Sequence, residues 1–428
     1  MIPLYLILVI AAGLFGVPIV FALIFGPSID FLVQGKETMY KIMIQRDFAG
    51  INQFALLAVP LFILAGELMN RGGITERLVQ FARTLVGHFH GGLAQVNILS
   101  SIMFAGLSGS AVADTSALGS ILIPGMEKDG YPRDFSAAVT AASSIIGPII
   151  PPSIIMIVYS YIMEVSTGAL FAAGVLPGLT MGFALMIMTS FLARRRGYPR
   201  QRRATLRETA QAARASFLPL LTPVIILAGI LFSIVSPTEA AIIAVAYALV
   251  LSLFILRTMR FKELPAIFNK AGLSAAIILL IIGSAAMFGW VLTITRVPQN
   301  LASFILGFTS NPYLFLFIAN ILLFVVGMFL DAGPAILILG PILGPSLAQM
   351  GINPTHFAIV MCLNLTVGLA TPPFGLVLFA ASSITKLQVS TIVRAMLPYY
   401  LVHLLVILLI TYWPALSLSL PKLLGLPV

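Results

Sequence analysis

The sequence predicts an all-α polytopic membrane protein, built as an inverted structural repeat with two re-entrant helical hairpins and two discontinuous helices. Three observations predict it. Of 428 residues, 60% are hydrophobic and only 9% are charged, whereas soluble domains run at about 45–50% and about 25%. Apolar runs long enough to cross a hydrocarbon core of about 30 Å recur from end to end. Glycine and proline interrupt those runs at matching places in the two halves. The composition excludes a soluble enzyme, a disordered chain and a disulfide scaffold. An outer-membrane barrel is excluded as well, because runs such as 241–251 are apolar on every face and do not alternate.

In chain order, spans are expected near 2–16, 17–35, 49–70, 134–165, 167–193, 217–235, 237–257, 272–295, 355–381 and 397–424. The first run starts at Met1 with no basic n-region and no small-residue cleavage site, so it reads as a retained span. Two further apolar pieces, 92–128 and 312–351, carry Gly/Ser/Asp interruptions at their middles, GLSGSAVAD at 106–114 and GMFLDAGPA at 327–335. Each is expected to form two short helices that enter and leave by the same face.

Charge tests this topology. Eight arginines fall between Arg194 and Arg214. They read as a positive-inside topology signal in a cytoplasmic loop, and no nucleic-acid partner is expected. With that loop in the cytoplasm and each hairpin returning to its own side, nineteen basic residues face the cytoplasm and five face outward. Treating either hairpin as a full crossing spoils the split. Both termini then lie outside, and membrane lipid is the surrounding partner. The single cysteine, Cys362, excludes an internal disulfide, and no other metal-ligand type gathers around His88 and His90.

The two halves resemble each other. The segments beginning at Ala117 and Ile338 align at a spacing of 221 residues, pairing Gly119 with Gly340, Pro124 with Pro345, Gly130 with Gly351, and Pro151–Pro152 with Pro372–Pro373. A one-residue slip pairs Pro132 with Pro354 and Phe135 with Phe357. Each copy holds five spans and one hairpin, and an odd number of spans inverts the second copy. Secondary transporters are commonly built so, with the substrate near the midplane where broken helices meet.

Backbone groups have no water partner in lipid, so irregular backbone at that depth must line a protein cavity. The interruptions are the two hairpin tips and the two double-proline segments, 143–153 and 364–374, with breaks at Pro148, Pro151, Pro152, Pro372 and Pro373. Proline disrupts the preceding turn, and the freed carbonyls and nearby hydroxyls are hard oxygen ligands. Helix C-terminal ends favour cations and N-terminal ends favour anions. Two cation sites are expected. One uses Ser108, Ser110, Ser143, Ser144 and Gly147; the other uses Asp331, Gly333, Asn364, Thr366, Gly368 and Thr371. Few carboxylates and no Cys/His cluster make these Na+ sites rather than calcium or zinc sites. Candidate substrate contacts are Ser110, Asp114, Thr115 and Ser153, the last two as cavity-facing hydroxyls. Glu67 and Glu239 read as structural, Glu239 as favourable first-turn charge.

The segments 56–74, 104–126, 141–154, 236–241 (SPTEAA) and 370–375 (ATPPFG) together resemble the large membrane (M) subunit of TRAP transporters, the DctM-like permeases of the ion-transporter superfamily. The likeness covers essentially the whole chain. It implies a scaffold domain, a mobile transport domain, and sodium-driven uptake of an organic acid by an elevator movement. The family's sodium motifs fall on the tip and break residues named above, with two or more ions bound. The implied division is 1–91 scaffold and arm helices; 92–165 hairpin and broken helix; 166–311 scaffold and arm helices with the basic loop 194–216; 312–381 second hairpin and broken helix; 382–428 C-terminal scaffold helix. Amphipathic stretches at 73–90 and 298–309 fit the arm helices. The implied partners are a small four-helix membrane (Q) subunit, expected as a separate chain, and a periplasmic substrate-binding (P) protein. The implied setting is the bacterial inner membrane, and sialic acid and C4-dicarboxylates are the leading substrates.

Two other functions compete. Gly106-Leu107-Ser108-Gly109 has the look of an intramembrane serine protease, with His356 or His403 as base. A nucleophile needs its base within hydrogen-bond reach, and neither histidine belongs to a recognisable dyad. An ion channel is the other, but two inverted hairpins around one site suit alternating access better than a pore.

Overall fold

The computed structural model describes residues 3–36 and 38–428, with nothing said of the side chains of Ile10, Gly13, Leu14, Leu107, Ser108, Ala302, Phe304, Ile305, Leu306 and Phe308. Among the described residues every regular element is helical. The first half runs α1 Leu4–Leu14, α2 Ile19–Val33, α3 Thr38–Ile51, α4 Ala58–Arg71, α5 Ile74–Val86, α6 Gly92–Ser108, α7 Ala111–Lys128, α8 Arg133–Ser144, α9 Ile154–Met163 and α10 Thr167–Arg196. The second runs α11 Leu206–Leu231, α12 Pro237–Val250, α13 Leu264–Ile294, α14 Val297–Phe308, α15 Pro312–Phe329, α16 Ala332–Gln349, α17 Pro354–Gly368, α18 Leu376–Thr385, α19 Val389–Tyr412 and α20 Ala415–Leu423. Eight of the described helices are long and apolar enough to cross a membrane.

The centre is formed by α8 and α17. Every residue of α8 from Phe135 to Ser144 is buried, as is every residue of α17 from Thr355 to Gly368. A helix buried on all faces is a core helix, and these two carry the polar residues of the breaks. Around them the packing is reciprocal. Helix α9, which follows the first break, packs on α16 of the second hairpin; α18, which follows the second break, packs on α7 of the first hairpin. Helix α19 covers α8, and α10 covers α17.

Local chemistry sets the ends. Helix α11 starts with a capping box in which Thr205 and Glu208 satisfy one another's backbone N–H groups, and α12 starts with the same device from Ser236 and Glu239, with Pro237 at its first position. The SPTEAA motif is therefore a helix start, and Glu239 is structural as expected. Glu67 is held by Lys270, Nζ to Oε1 2.8 Å. Helix α5 turns Ile74, Leu78, Val79, Ala82 and Val86 inward and leaves Arg77, Gln80 and Arg83 on its other face.

Several boundaries differ from the sequence reading. The basic loop 194–216 is helical at both ends: α10 continues through Arg196, where basic residues suit a helix C-terminus, and α11 begins at Leu206. Residues 38–51 form a helix that carries Lys41, Arg46 and Asp47; it is too polar to read as a span, yet it packs against α13. The run 397–424 is two helices, parted at Trp413 and Pro414. The hairpin helices are not short. Helix α6 has 17 residues, and α7, α15 and α16 have 18 each, or about 27 Å at about 1.5 Å per residue. Only the turn residues stop the helix; the neighbouring alanines and serines continue it.

Candidate functional site

The site is made where helices stop. Helix α8 ends at Ser144 and α9 resumes at Ile154; α17 ends at Gly368 and α18 resumes at Leu376. The double prolines lie in these gaps, and Pro151–Pro152 and Pro372–Pro373 are both cis. The hairpins turn at Gly109–Ser110 and at Leu330–Asp331. Tips and gaps meet at one cavity of about 180 Å³. It is lined by Gly109 to Val112 at the start of α7, by Ile154 and Ile155 at the start of α9, by Asp331 to Pro334 at the start of α16, and by Leu376 at the start of α18. Pro148 and Leu369, past the ends of α8 and α17, also line it, and isoleucines of α13 form an apolar wall.

Four helix N-termini therefore converge on this cavity. Each carries roughly half a positive charge and unsatisfied N–H groups, so together they favour an anion. Ser110 and Asp331, which number 221 apart, are the caps of α7 and α16: Ser110 Oγ accepts from Ala113 N (3.4 Å), and Asp331 Oδ1 accepts from Ala332 N (2.9 Å). Asp331 is exposed to the cavity.

Beside the cavity, the ends of α8 and α17 hold two buried clusters of oxygens. At the first, Ser101 Oγ donates to Ser143 Oγ (2.9 Å), Asn97 Nδ2 donates to Thr140 Oγ1 (2.6 Å), and Ser143 Oγ reaches Asn97 Oδ1 (3.3 Å). Ser144 Oγ donates to the Thr140 carbonyl (2.7 Å). The carboxylate of Asp114 is buried against Gly147, and a side chain at 147 would overlap it. Asp114 thus belongs to this cluster and not to the cavity wall. At the second, Asn364 Nδ2 donates to Asn320 Oδ1 (2.5 Å), and Asn320 is bonded to Thr411 Oγ1 (3.1 Å). Thr366 and Thr371 donate to the carbonyls of Cys362 and Val367, both at 2.8 Å. Gly368 meets Gly327 of α15 backbone to backbone, so neither position has room for a side chain.

Ser144, Thr366 and Thr371 spend their hydroxyl protons on backbone carbonyls, which leaves their oxygens able to accept. The donor set is hard oxygen at both clusters, and among the described residues no group of three or more His, Cys, Asp or Glu comes together. Ser143 and Asn364, like Gly147 and Gly368, number 221 apart, the spacing at which the two halves align in sequence.

The structure brings together Ser110, Asp331 and Gly333 at the cavity, and Asp114, Ser143, Ser144 and Gly147 at the first cluster. Asn364, Thr366, Gly368 and Thr371 lie at the second. Thr115 and Ser153 do not line the cavity, contrary to expectation. Thr115 Oγ1 donates to the Ala111 carbonyl (2.9 Å) and Ser153 Oγ to the Pro148 carbonyl (2.6 Å), and both side chains are buried. Ser153 caps α9, accepting from Met156 N (3.4 Å). The side chain of Ser108 lies outside the described residues. Asn97, Ser101, Thr140 and Asn320 were missed by the sequence reading; the only signal was a polar residue inside an apolar helix.

The family model described as the DctM component of the tripartite ATP-independent periplasmic transporters matches residues 6–416. The sialic acid TRAP transporter large permease protein SiaM of Vibrio cholerae is 39% identical over 408 residues, covering 95% of each chain. The C4-dicarboxylate TRAP transporter large permease protein DctM of Pseudomonas aeruginosa is 41% identical over 379 residues, 89% of each. Among solved structures, the YdaH transporter of Alcanivorax borkumensis superposes with a TM-score of 0.64 over 90% of each chain; at 15% identity this likeness concerns the fold alone.

Proposed function

Since the chain belongs to the DctM component family of the tripartite ATP-independent periplasmic transporters, we propose that it carries a small organic acid inward, coupled to Na+, by an elevator movement. It is a transport protein rather than an enzyme, and a multi-pass protein of the bacterial inner membrane. The acid is sialic acid, a C4-dicarboxylate or a related carboxylate. A periplasmic binding protein delivers it, and a small four-helix membrane subunit completes the complex.

The convergence of four helix N-termini on one cavity, with two helix C-termini and their oxygen clusters beside it, carries this reading. The N-termini suit a carboxylate; the C-termini suit cations. Asp331 supplies the coupling. Two carboxylates about 4 Å apart repel by roughly 4 kcal/mol at an effective dielectric of about 20, so an acid beside Asp331 is disfavoured until a cation neutralises the site. Sodium at the clusters removes that penalty, and ion and acid bind together.

The reciprocal packing of α9 on α16 and of α18 on α7 supports an inverted repeat whose hairpins and broken helices move as one body. Helices α5 and α14 then serve as arms to the scaffold. The protease alternative has no support from the histidines: His356 is bonded to Ser417 Oγ (2.7 Å), and His403 faces the Ala142 carbonyl (3.3 Å).

The test is reconstitution with the small subunit and each candidate binding protein, offering each labelled acid in turn. Accumulation above the external concentration is expected for one acid class and only with its binding protein. Rapid equilibration without accumulation, or without any binding protein, would mark a channel.

A further inference from the structure

We propose that the central cavity is reached from the outer face through a vestibule along α13, and that Leu337 is the constriction between the two. The proposal rests on reading the central cavity as the seat of the acid. A second cavity of about 300 Å³ is lined by Ala285, Ala286, Gly289 and Thr293 of α13, by Tyr161, Ile162 and Glu164 at the end of α9, and by Pro341 of α16. The central cavity takes Ile278, Ile281 and Ile282 from the same helix. These α13 positions recur every three or four residues and so form one face. Both cavities lie in the trough between α9, α13 and α16, and Leu337 is the residue that lines both. Its side chain is 3% exposed, so it fills the junction.

Charge fixes which end opens outward. Helix α13 starts beside Arg260, Lys262 and Lys270 and ends at Ile294, with Arg296 beyond. The vestibule lies toward the charge-poor end, which positive-inside topology puts on the outer face. Its floor is made of small residues, and a Cβ placed on Gly289 would meet nothing within 4 Å. Gly333, inside the central cavity, is equally open.

Cysteine labelling tests this cleanly, because Cys362 is the single cysteine and is buried. Gly289→Cys and Gly333→Cys are introduced separately into the full complex in right-side-out membrane vesicles. A sulfonate-bearing methanethiosulfonate reagent is added outside. Gly289→Cys is expected to react fast and Gly333→Cys about tenfold more slowly, a barrier of about 1.4 kcal/mol. Leu337→Ala, or Leu337→Val where the alanine variant does not fold, raises the Gly333→Cys rate and leaves the Gly289→Cys rate unchanged. Gly289→Trp, which fills open space, slows labelling of Gly333→Cys. The proposal is overturned if Gly289→Cys does not react, if the two cysteines react equally with Leu337 in place, or if the Gly333→Cys rate ignores both substitutions. The underlying site reading fails separately, if modified Gly333→Cys still takes up acid at the normal rate.

Discussion

The carboxylate of Asp114, in the first turn of α7, rests on the backbone of Gly147 in the break that follows α8. A hairpin helix and the break after a central helix thereby meet at one point, beside the Ser144 carbonyl. Gly147→Ala places a methyl group where the carboxylate lies. Overpacking of this kind costs about 1–3 kcal/mol, and it pushes the carboxylate off the backbone at Gly147. Uptake is expected to fall at least tenfold, about 1.4 kcal/mol, with a lowered unfolding temperature. Initial uptake rates and thermal unfolding of the purified complex check both.

Asp331 caps α16, and the proposed mechanism gives it a second task that substitution can separate from the first. As cap of α16 it accepts the Ala332 N–H (2.9 Å), which asparagine also does. Asp331→Asn should therefore keep stability and lose sodium-dependent uptake. Asp331→Ala should lose both, with about 1 kcal/mol of stability gone with the cap. Uptake by Asp331→Asn at the wild-type rate would reduce Asp331 to a cap.

Equivalent positions should behave equivalently. Ser143→Ala removes the partner of Ser101 and Asn97, and Asn364→Ala removes the partner of Asn320. Removing one partner of a buried hydrogen bond costs about 1–3 kcal/mol where the other group is left unsatisfied, and Asn320 keeps Thr411. Each variant is expected to raise the sodium concentration for half-maximal uptake roughly tenfold, which corresponds to about 1.4 kcal/mol. A sodium titration of uptake at fixed acid concentration reads this directly.

Glu67 provides the contrast. Its ion pair with Lys270 joins side chains that are 21% and 65% exposed, and such exposed pairs contribute about 0–1 kcal/mol. Glu67→Gln should leave the sodium titration unchanged and shift the unfolding temperature only slightly. A changed sodium dependence would place Glu67 in the coupling path.

Much of this site was legible in the sequence because its residues break rules that lipid enforces. Double prolines, a glycine at 147 and again at 368, and a carboxylate at 331 are out of place in a membrane helix, and the prolines and glycine recur 221 residues apart. Asn97, Ser101, Thr140 and Asn320 were not legible, because a single polar residue in a helix shows its role only when the facing helix is known. That Thr115 and Ser153 lie off the cavity wall was hidden for the same reason: a hydroxyl that bonds its own backbone looks, in sequence, like one free to bind a ligand. Helix α3 was missed because an apolar threshold cannot see a charged helix that still buries one face. Hairpin lengths were underestimated because glycine and serine near a turn were read as ending the helix too early.

Sodium removal tests the central claim most directly. Purified complex in proteoliposomes, supplied with the binding protein and its labelled acid, is assayed with sodium outside and again with choline replacing it, at equal osmolarity and membrane potential. Uptake is expected to vanish in choline and to return when sodium is restored. Undiminished accumulation in choline would contradict the account, because the oxygen clusters at Ser144 and Gly368 would then have no ion to hold.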